Sequence, residues 1–338
     1  MTDTTANAHI TPTQLLSSPL RPLRVVIPGG AGHLGRIIAG HLHANGNVVT
    51  VLSRSGQVAP WQVVSWNGAG TDDWTRELEG ADVVINLAGR SVNCRYNPRN
   101  RREILESRVG TTQVLGKAIS GLQRPPRLWI NASTATIYRH SFDREMGEAT
   151  GELGGQERDA PDTWRFSIEV ATRWESSFFA ANTPRTRKIA LRSAMVMSAE
   201  RGGTFDILLR LVRFGLGGTC GPGKQFVSWV HENDFVCALD YLMAHEEFEG
   251  PINVASPNPL PNEDFMRILR KAWGARVGLP ASKWMLEIGA FFLRTETELI
   301  LKSRRVVPGL LLTSGFEFQF PEWRCAAEDL VQRWRSQK

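Results

Sequence analysis

Arg24-Val25-Val26-Ile27-Pro28-Gly29-Gly30-Ala31-Gly32-His33-Leu34-Gly35 decides how the rest of this sequence is read. Val25-Val26-Ile27 is a β-branched run and reads as a short strand, while Arg36 to Ala44 reads as a helix closed by Asn45-Gly46. Between them the glycines satisfy two overlapping templates. One is G-x-G-x-x-G at Gly30, Gly32 and Gly35; the other is G-x-x-G-x-x-G at Gly29, Gly32 and Gly35. Glycines so spaced permit a tight turn, let the backbone approach a pyrophosphate and bring helix against strand. The helix start, at His33 and Leu34, then attracts the anion. A tight turn alone is the competing reading, but a strand–helix–strand context is what a dinucleotide loop requires.

The end of the next strand, Val48 to Leu52, selects the nucleotide. An NAD site usually places Asp or Glu about 20 residues on, to hold the ribose 2′-hydroxyl. Here Ser53-Arg54 stand at that point, and no acid follows until Asp72. A hydroxyl and a guanidinium suit a 2′-phosphate, because Arg pairs with phosphate bidentately. NADP (NADPH) is therefore the expected cofactor; an exposed loop arginine is the other reading of Arg54.

Further along, apolar strands alternate with helices. Val63 to Trp66, Asp82 to Leu87, Arg127 to Ala132 and Arg187 to Met197 read as strands, and Arg101 to Ile119 and Trp164 to Ala181 as helices. This rhythm predicts an α/β fold, a Rossmann doubly wound parallel sheet covered on both faces. After Ala199 the rhythm changes. Phe205 to Gly215 is an amphipathic core or lid helix, Asp234 to Ala244 is another helix, and Ile252 to Ala255 is a last strand. Helices dominate from Pro257, with Trp284 to Leu293 as core of a smaller, mainly helical C-terminal domain. The expected division is a flexible extension over 1–22 and a Rossmann domain over 23–200, to which 228–256 returns. Residues 201–227 and 257–338 form the substrate or C-terminal domain.

The opening loop, Asn86-Leu87-Ala88-Gly89 and Ser133 resemble an extended short-chain dehydrogenase/reductase. More closely, the chain resembles the atypical epimerase-family proteins related to member 39U of that superfamily, which carry a C-terminal domain of unknown function. The motifs are Ser107-Arg108-x-x-Thr111-Thr112, Trp174-Glu175, Phe214-Gly215-Leu216-Gly217-Gly218 and Gly221-x-Gly223-x-Gln225-x-x-Ser228-Trp229-x-His231. Pro257-x-Pro259-x-x-Asn262, Val307-Pro308 and Gly315-Phe316-x-Phe318 extend the match over about residues 23–334. The resemblance implies a site for NADP in which Ser53 and Arg54 take the 2′-phosphate. Trp66, Asn86, Leu87, Ala88 and Gly89 would line the dinucleotide, and Ala132 and Val196 would approach the nicotinamide end. Glu103 and Arg108 would reach its ribose or phosphates, although their residues alone read as a solvated helix face. Pro28 stands where Thr is usual, and His33 where an apolar aromatic is common.

Composition narrows the classes. The chain has 338 residues, 42% hydrophobic and 22% charged, which excludes disorder and fibres. A net charge of +6 spread along the chain argues against nucleic acid as partner. Cys94, Cys220, Cys237 and Cys325 lie far apart, without zinc or disulfide spacing. With no secretory signal and no run of about 18 apolar residues, a cytoplasmic protein acting on a small molecule is expected, with no membrane partner; a homodimer is an open option.

The usual chemistry of the superfamily is missing. Its members reduce a carbonyl with Tyr as acid/base, assisted by Lys four residues later, beside a Ser. A lone phenol has a pKa of about 10 and is a poor base near neutrality. Here Asn100, Phe142 and His245 follow Tyr96, Tyr138 and Tyr241 at that spacing, and no lysine lies between Lys117 and Lys188. Three readings stay open. An oxidoreductase or epimerase on a small carbonyl or sugar-like substrate would use Ser133 and Tyr138, with His231 as a candidate donor and the Gly217–Gly223 loop and Trp229 closing over the substrate. A non-catalytic NADP(H)-binding module for redox sensing or a partner is the second. A polyanion binder using Arg99, Arg101 and Arg102 is the third.

Overall fold

The computed structural model describes residues 21–56, 58–158, 160–281 and 301–337. The extension read over 1–22, apart from Arg21 and Pro22, and the stretch from Trp284 to Leu293 lie outside the described residues.

The strands are β1 Arg24–Pro28, β2 Val48–Ser53, β3 Gln62–Ser65, β4 Val83–Asn86, β5 Leu128–Thr134 and β6 Arg187–Ser193. They continue as β7 Met195–Met197, β8 Phe226–Val227, β9 Trp229–His231, β10 Gly250–Val254 and β11 Leu260–Pro261. The described helices are α1 His33–Ala44, α2 Pro98–Ser120, α3 Asp162–Phe179, α4 Thr204–Arg213, α5 Glu232–Ala244, α6 Asn262–Trp273, α7 Gly309–Thr313 and α8 Trp323–Ser336. Seven strands form one sheet in the order β10-β6-β5-β4-β1-β2-β3, every neighbouring pair parallel. This is the expected Rossmann doubly wound sheet, with a smaller, mainly helical C-terminal region beside it. Strand order reverses between β1 and β4, where such sheets open a crevice at the carboxyl ends of their strands.

Alternating side chains divide the core. Val25 and Ile27 pack with Ile38 and Leu42 of α1 and with Phe235 and Leu239 of α5. Val26, Val84 and Trp129 point the other way, onto Leu115 and Ile119 of α2 and Phe178 of α3. A third cluster holds the C-terminal helices together: Phe205, Leu209 and Val212 of α4 meet Phe265 of α6 and Trp323 of α8. The Phe265 and Trp323 rings stack with centroids 4.0 Å apart.

The strand read from Arg187 to Met197 is in fact two. Ala194 donates its amide to the Val254 carbonyl at 2.9 Å, within the main sheet, whereas Met195 donates to the Ser228 carbonyl at 3.3 Å. The chain changes partners there, and β7 pairs with β9 in a separate parallel ribbon. Each half carries a short apolar run, Ile189–Leu191 and Met195–Met197, so composition alone does not mark the break.

One contact pins α1 to the sheet. A Cβ built on Gly35 would stand 2.3 Å from the Gly30 carbonyl oxygen, whereas one on Gly32 would meet nothing nearer than 3.8 Å. Gly35→Ala is expected to lower stability by at least about 1–3 kcal/mol through overpacking. Gly32→Ala should stay within about 0.5 kcal/mol of the parent. Urea unfolding midpoints compare the two, and an unshifted Gly35→Ala would show that the helix can move away.

Candidate dinucleotide site

Glycine constraints shape the crevice. Gly29 has φ +77°, and a Cβ there would lie 2.6 Å from the Ala88 amide nitrogen, so the turn after β1 touches the backbone after β4. Leu87 donates its amide to the Pro28 carbonyl at 2.8 Å, and Gly29 donates to the Leu52 carbonyl at 2.8 Å, tying three strand ends together. Gly29, Gly30 and Gly35 are thus required by protein neighbours, but Gly32 is not: a Cβ there would meet only the Gly29 carbonyl oxygen, at an ordinary 3.8 Å. Gly32 is the N-cap of α1, which has no side-chain cap and no acid in its first turn. Amides at the start of α1 are left to an outside acceptor, and the helix dipole favours an anion there. These residues fit a dinucleotide pyrophosphate.

Ser53 is buried at the end of β2, and its hydroxyl accepts the Ser55 amide at 3.3 Å. Arg54 beside it is exposed and pairs with no carboxylate among the described residues. Trp66 lies beneath, 4% exposed and packed against Trp74 with ring centroids 5.2 Å apart. Its buried indole nitrogen has no hydrogen-bond partner among the described residues. Asn86 is wholly buried: it donates to Asn131 Oδ1 at 2.7 Å and accepts the Ala88 amide at 3.1 Å, which fixes Leu87, Ala88 and Gly89.

Arg108 and Glu103, both on α2, differ sharply. Arg108 Nη1 donates to the carbonyls of Arg90 at 3.0 Å and Ile104 at 3.1 Å, and the guanidinium lies over Trp174 at 5.2 Å. Dense packing lowers its pKa to about 10, with Tyr96 and Cys94 opposing the shift. It borders Gly89, where a Cβ would meet its Cζ at 3.2 Å, and it has no carboxylate partner among the described residues. Such a cation suits a phosphate. Glu103, in contrast, is paired with Arg90 and with Arg99, so it reaches the β4 loop only through Arg90.

Ser133 and Tyr138 do come together, but inward. Ser133 Oγ donates to Glu175 Oε1 at 2.5 Å. Arg192 grips the same carboxylate with Nε and Nη2 at 2.8 and 2.7 Å, and its Nη1 donates to the Tyr138 hydroxyl at 3.0 Å. That hydroxyl donates in turn to Asn253 Oδ1 at 2.9 Å. Tyr138 is 1% exposed, and burial pushes its pKa up against the opposing pull of Arg192. Burial works against the Arg192 charge, yet Glu175 holds its pKa above the ordinary arginine value. Both hydroxyls are engaged within the protein. Glu175 belongs to the Trp174-Glu175 motif, which does not disclose its role; the signal for Arg192 is a charge following the apolar run Ile189–Leu191 of β6.

Comparison with known proteins places this geometry. Residues 25–157 match the NAD dependent epimerase/dehydratase family, and residues 281–330 match a domain of unknown function, DUF1731. The human epimerase family protein SDR39U1 is 30% identical over 318 residues, covering 91% of this chain and all of the relative. The chain belongs to the SDR39U1 epimerase family. The crystal structure of human SDR39U1 isoform 2 with NADPH superposes with a TM-score of 0.80 at 28% identity, covering 92% of this chain and 99% of that one. UDP-N-acetylglucosamine 4-epimerase from Bacillus cereus, at 17% identity and TM-score 0.71, shares the fold.

Two candidates turn out to be structural in this member of the SDR39U1 family. His231 is fully buried and caps α5: its Nδ1 accepts the Asn233 amide at 3.1 Å, and Nε2 lies 3.0 Å from Asp329. Its ring also stacks on Phe320 at 3.9 Å, so no face is left for a substrate. Trp229 is fully buried against Trp323 and cannot close over a ligand. The Gly217–Gly223 loop is pinned by backbone bonds, Gly218 to Leu279 at 3.1 Å and Gly221 to Ala281 at 2.8 Å. Val196 lies in β7 opposite Val230, half-buried on the sheet core, and Ala132 is half-buried in β5.

Arg192→Met, leaving the Glu175 charge buried and unpaired, is expected to cost about 3–5 kcal/mol, with most of it recovered in the double variant Glu175→Leu/Arg192→Met. Denaturant titration of the cycle decides; additive losses would show that the pair does not act as a unit. Burial depresses the folded pKa of His231, partly offset by Asp329. The unfolded chain therefore takes up the proton first, from a pH of about 6.5 downwards, and stability present above that pH is lost as pH falls towards the folded value. Unfolding free energy measured between about pH 7 and 5 should decline less steeply in His231→Asn; equal slopes would remove His231 from the effect.

Proposed function

We propose that the chain binds NADP(H) in the crevice between the β1 and β4 loops and serves as an oxidoreductase or epimerase on a small carbonyl or sugar-like substrate. Gly32 carries the first part of this reading. It is a glycine whose missing side chain is required by no protein neighbour, at an uncapped helix start. Arg54, directly after β2 and paired with no carboxylate among the described residues, supports the 2′-phosphate preference, and Arg108 beside Gly89 would supply a second cation. The NADPH carried by the human relative's crystal structure agrees with that choice. Bound there, the dinucleotide would supply or accept a hydride, while the chain's own residues bind and orient it.

A second reading, NADP(H) binding without turnover, draws on one observation. The two hydroxyls expected to move a proton are buried and bonded to Arg192, Glu175 and Asn253, and Phe142 stands four residues after Tyr138, where the superfamily pattern has Lys.

Calorimetric titration separates the cofactor claims. Arg54→Ala should weaken NADPH by about 10–100-fold, the value of charge-assisted phosphate bonds, and leave NADH nearly unchanged. Equal losses would take Arg54 out of the 2′-phosphate role. Gly32→Ala should abolish binding of both in a folded protein. For turnover, NADPH oxidation is followed against carbonyl compounds and nucleotide sugars, and activity surviving both Ser133→Ala and Tyr138→Phe places proton transfer on other groups.

A further inference from the structure

The helix read as a core or lid element, α4, has two apolar faces. Phe205, Leu209 and Val212 are buried. Ile207, Leu211 and Phe214, at spacings of four and three, form a second stripe on the outer side, with Ile207 51% and Phe214 78% exposed. The turn after α4 adds Leu216 at 50%, and the turn after α6 adds Val277 at 64% and Leu279 at 58%. These two turns form one surface. Leu279 donates its amide to the Gly215 carbonyl at 2.7 Å, Gly218 donates to the Leu279 carbonyl at 3.1 Å, and Arg270 Nη1 donates to the Gly217 carbonyl at 2.7 Å. Gly215 and Gly274, with φ +73° and +88°, make the turns sharp, so the apolar side chains project from tips.

Cations surround them. Residues 201–218 and 262–279 carry seven basic and three acidic side chains, and of the acids Asp206 is buried and paired with Arg210 while Asp264 is paired with Arg267. Arg213, Lys271 and Arg276 are exposed and pair with no carboxylate among the described residues. Stacking holds some of this charge in place: Arg213 lies over Trp334 at 4.7 Å and Trp273 at 5.5 Å, and Arg335 over Trp273 at 4.3 Å. Guanidinium groups therefore cover the Trp273 and Trp334 rings, which leaves Phe214 without a second aromatic platform for stacking successive bases of a single-stranded nucleic acid.

We infer that this end of the C-terminal region is a peripheral docking surface for an anionic lipid bilayer, with Phe214, Leu216, Val277 and Leu279 entering the headgroup region and the surrounding cations facing lipid phosphates. Two properties favour a bilayer over a protein partner. The apolar groups project from two sharp turns, and the cations around them outnumber the acids among the described residues. Shallow apolar insertion combined with basic side chains is how interfacial segments bind anionic membranes. No described helix is long and apolar enough to cross a bilayer, so contact would stay at the surface.

The test is co-sedimentation of the full-length protein with phosphatidylcholine vesicles, with and without about one-third phosphatidylglycerol. Binding is expected on the anionic vesicles and not on the neutral ones. It should fall at high salt, where the screening length shrinks to about 3 Å. Arg213→Glu/Arg276→Glu should weaken it by at least about five-fold per cation. Phe214→Ser/Leu216→Ser should abolish it, while Phe142→Ser, at an exposed site elsewhere, should leave it intact. Thermal unfolding confirms that each variant is folded. No binding to anionic vesicles, equal binding to neutral ones, or retention by the folded Phe214→Ser/Leu216→Ser variant would each overturn the proposal.

Discussion

Everything at the mouth of this sheet depends on two backbones approaching closer than any side chain permits. Gly35 rides on the Gly30 carbonyl and Gly29 on the Ala88 amide, so α1, the first strand end and the loop after β4 are held as one unit. Hydrogen bonds from Leu87 to Pro28 and from Gly29 to Leu52 lock the same unit from below. The helix start is thereby aimed at a fixed point in the crevice, and its free amides gain their meaning from that aim. Rigid backbone placement, not side-chain chemistry, is what the fold contributes here.

Behind the crevice the protein spends polar groups in a different way. Ser133, Glu175, Arg192, Tyr138 and Asn253 form one buried hydrogen-bonded network. A buried ion pair surrounded by hydrogen-bonding neighbours gives directional constraint more than net stability. It links α3, β5, β6 and β10, and Glu148 extends it by accepting the Asn253 amide at 2.9 Å. Ser133 and Tyr138, the two hydroxyls to which the superfamily resemblance points for proton transfer, are both members of this network.

Local constraints were the legible ones. Glycine spacing, the β-branched runs and the missing lysine are properties of a few adjacent residues, and each predicted its element or its absence. The Asn97 cap, which accepts the Asn100 amide with Pro98 at the first helical position, extends α2 earlier than Arg101, a shift of the size caps usually cause. Long-range burial was not legible. His231 looked like a proton donor because Asp329 and Phe320, which consume it, lie far along the chain. Trp229 looked like a closing lid for the same reason, its partner Trp323 being equally remote. Direction was also hidden: a serine near the end of β5 can face a ligand or Glu175, and only the tertiary arrangement decides.

The strand break at Ala194 has a consequence for how the chain comes into being. β10, the edge strand beside β6, is encoded after α4, β8, β9 and α5, so the sheet is completed only once much of the second lobe has been made. During synthesis the β6 edge waits unpaired, with apolar Ile189, Ala190 and Leu191 beside it. Unpaired edges are templates for wrong partners. The two lobes are therefore obliged to mature together, and the nascent first lobe is the stage at which this protein is most exposed to misassembly.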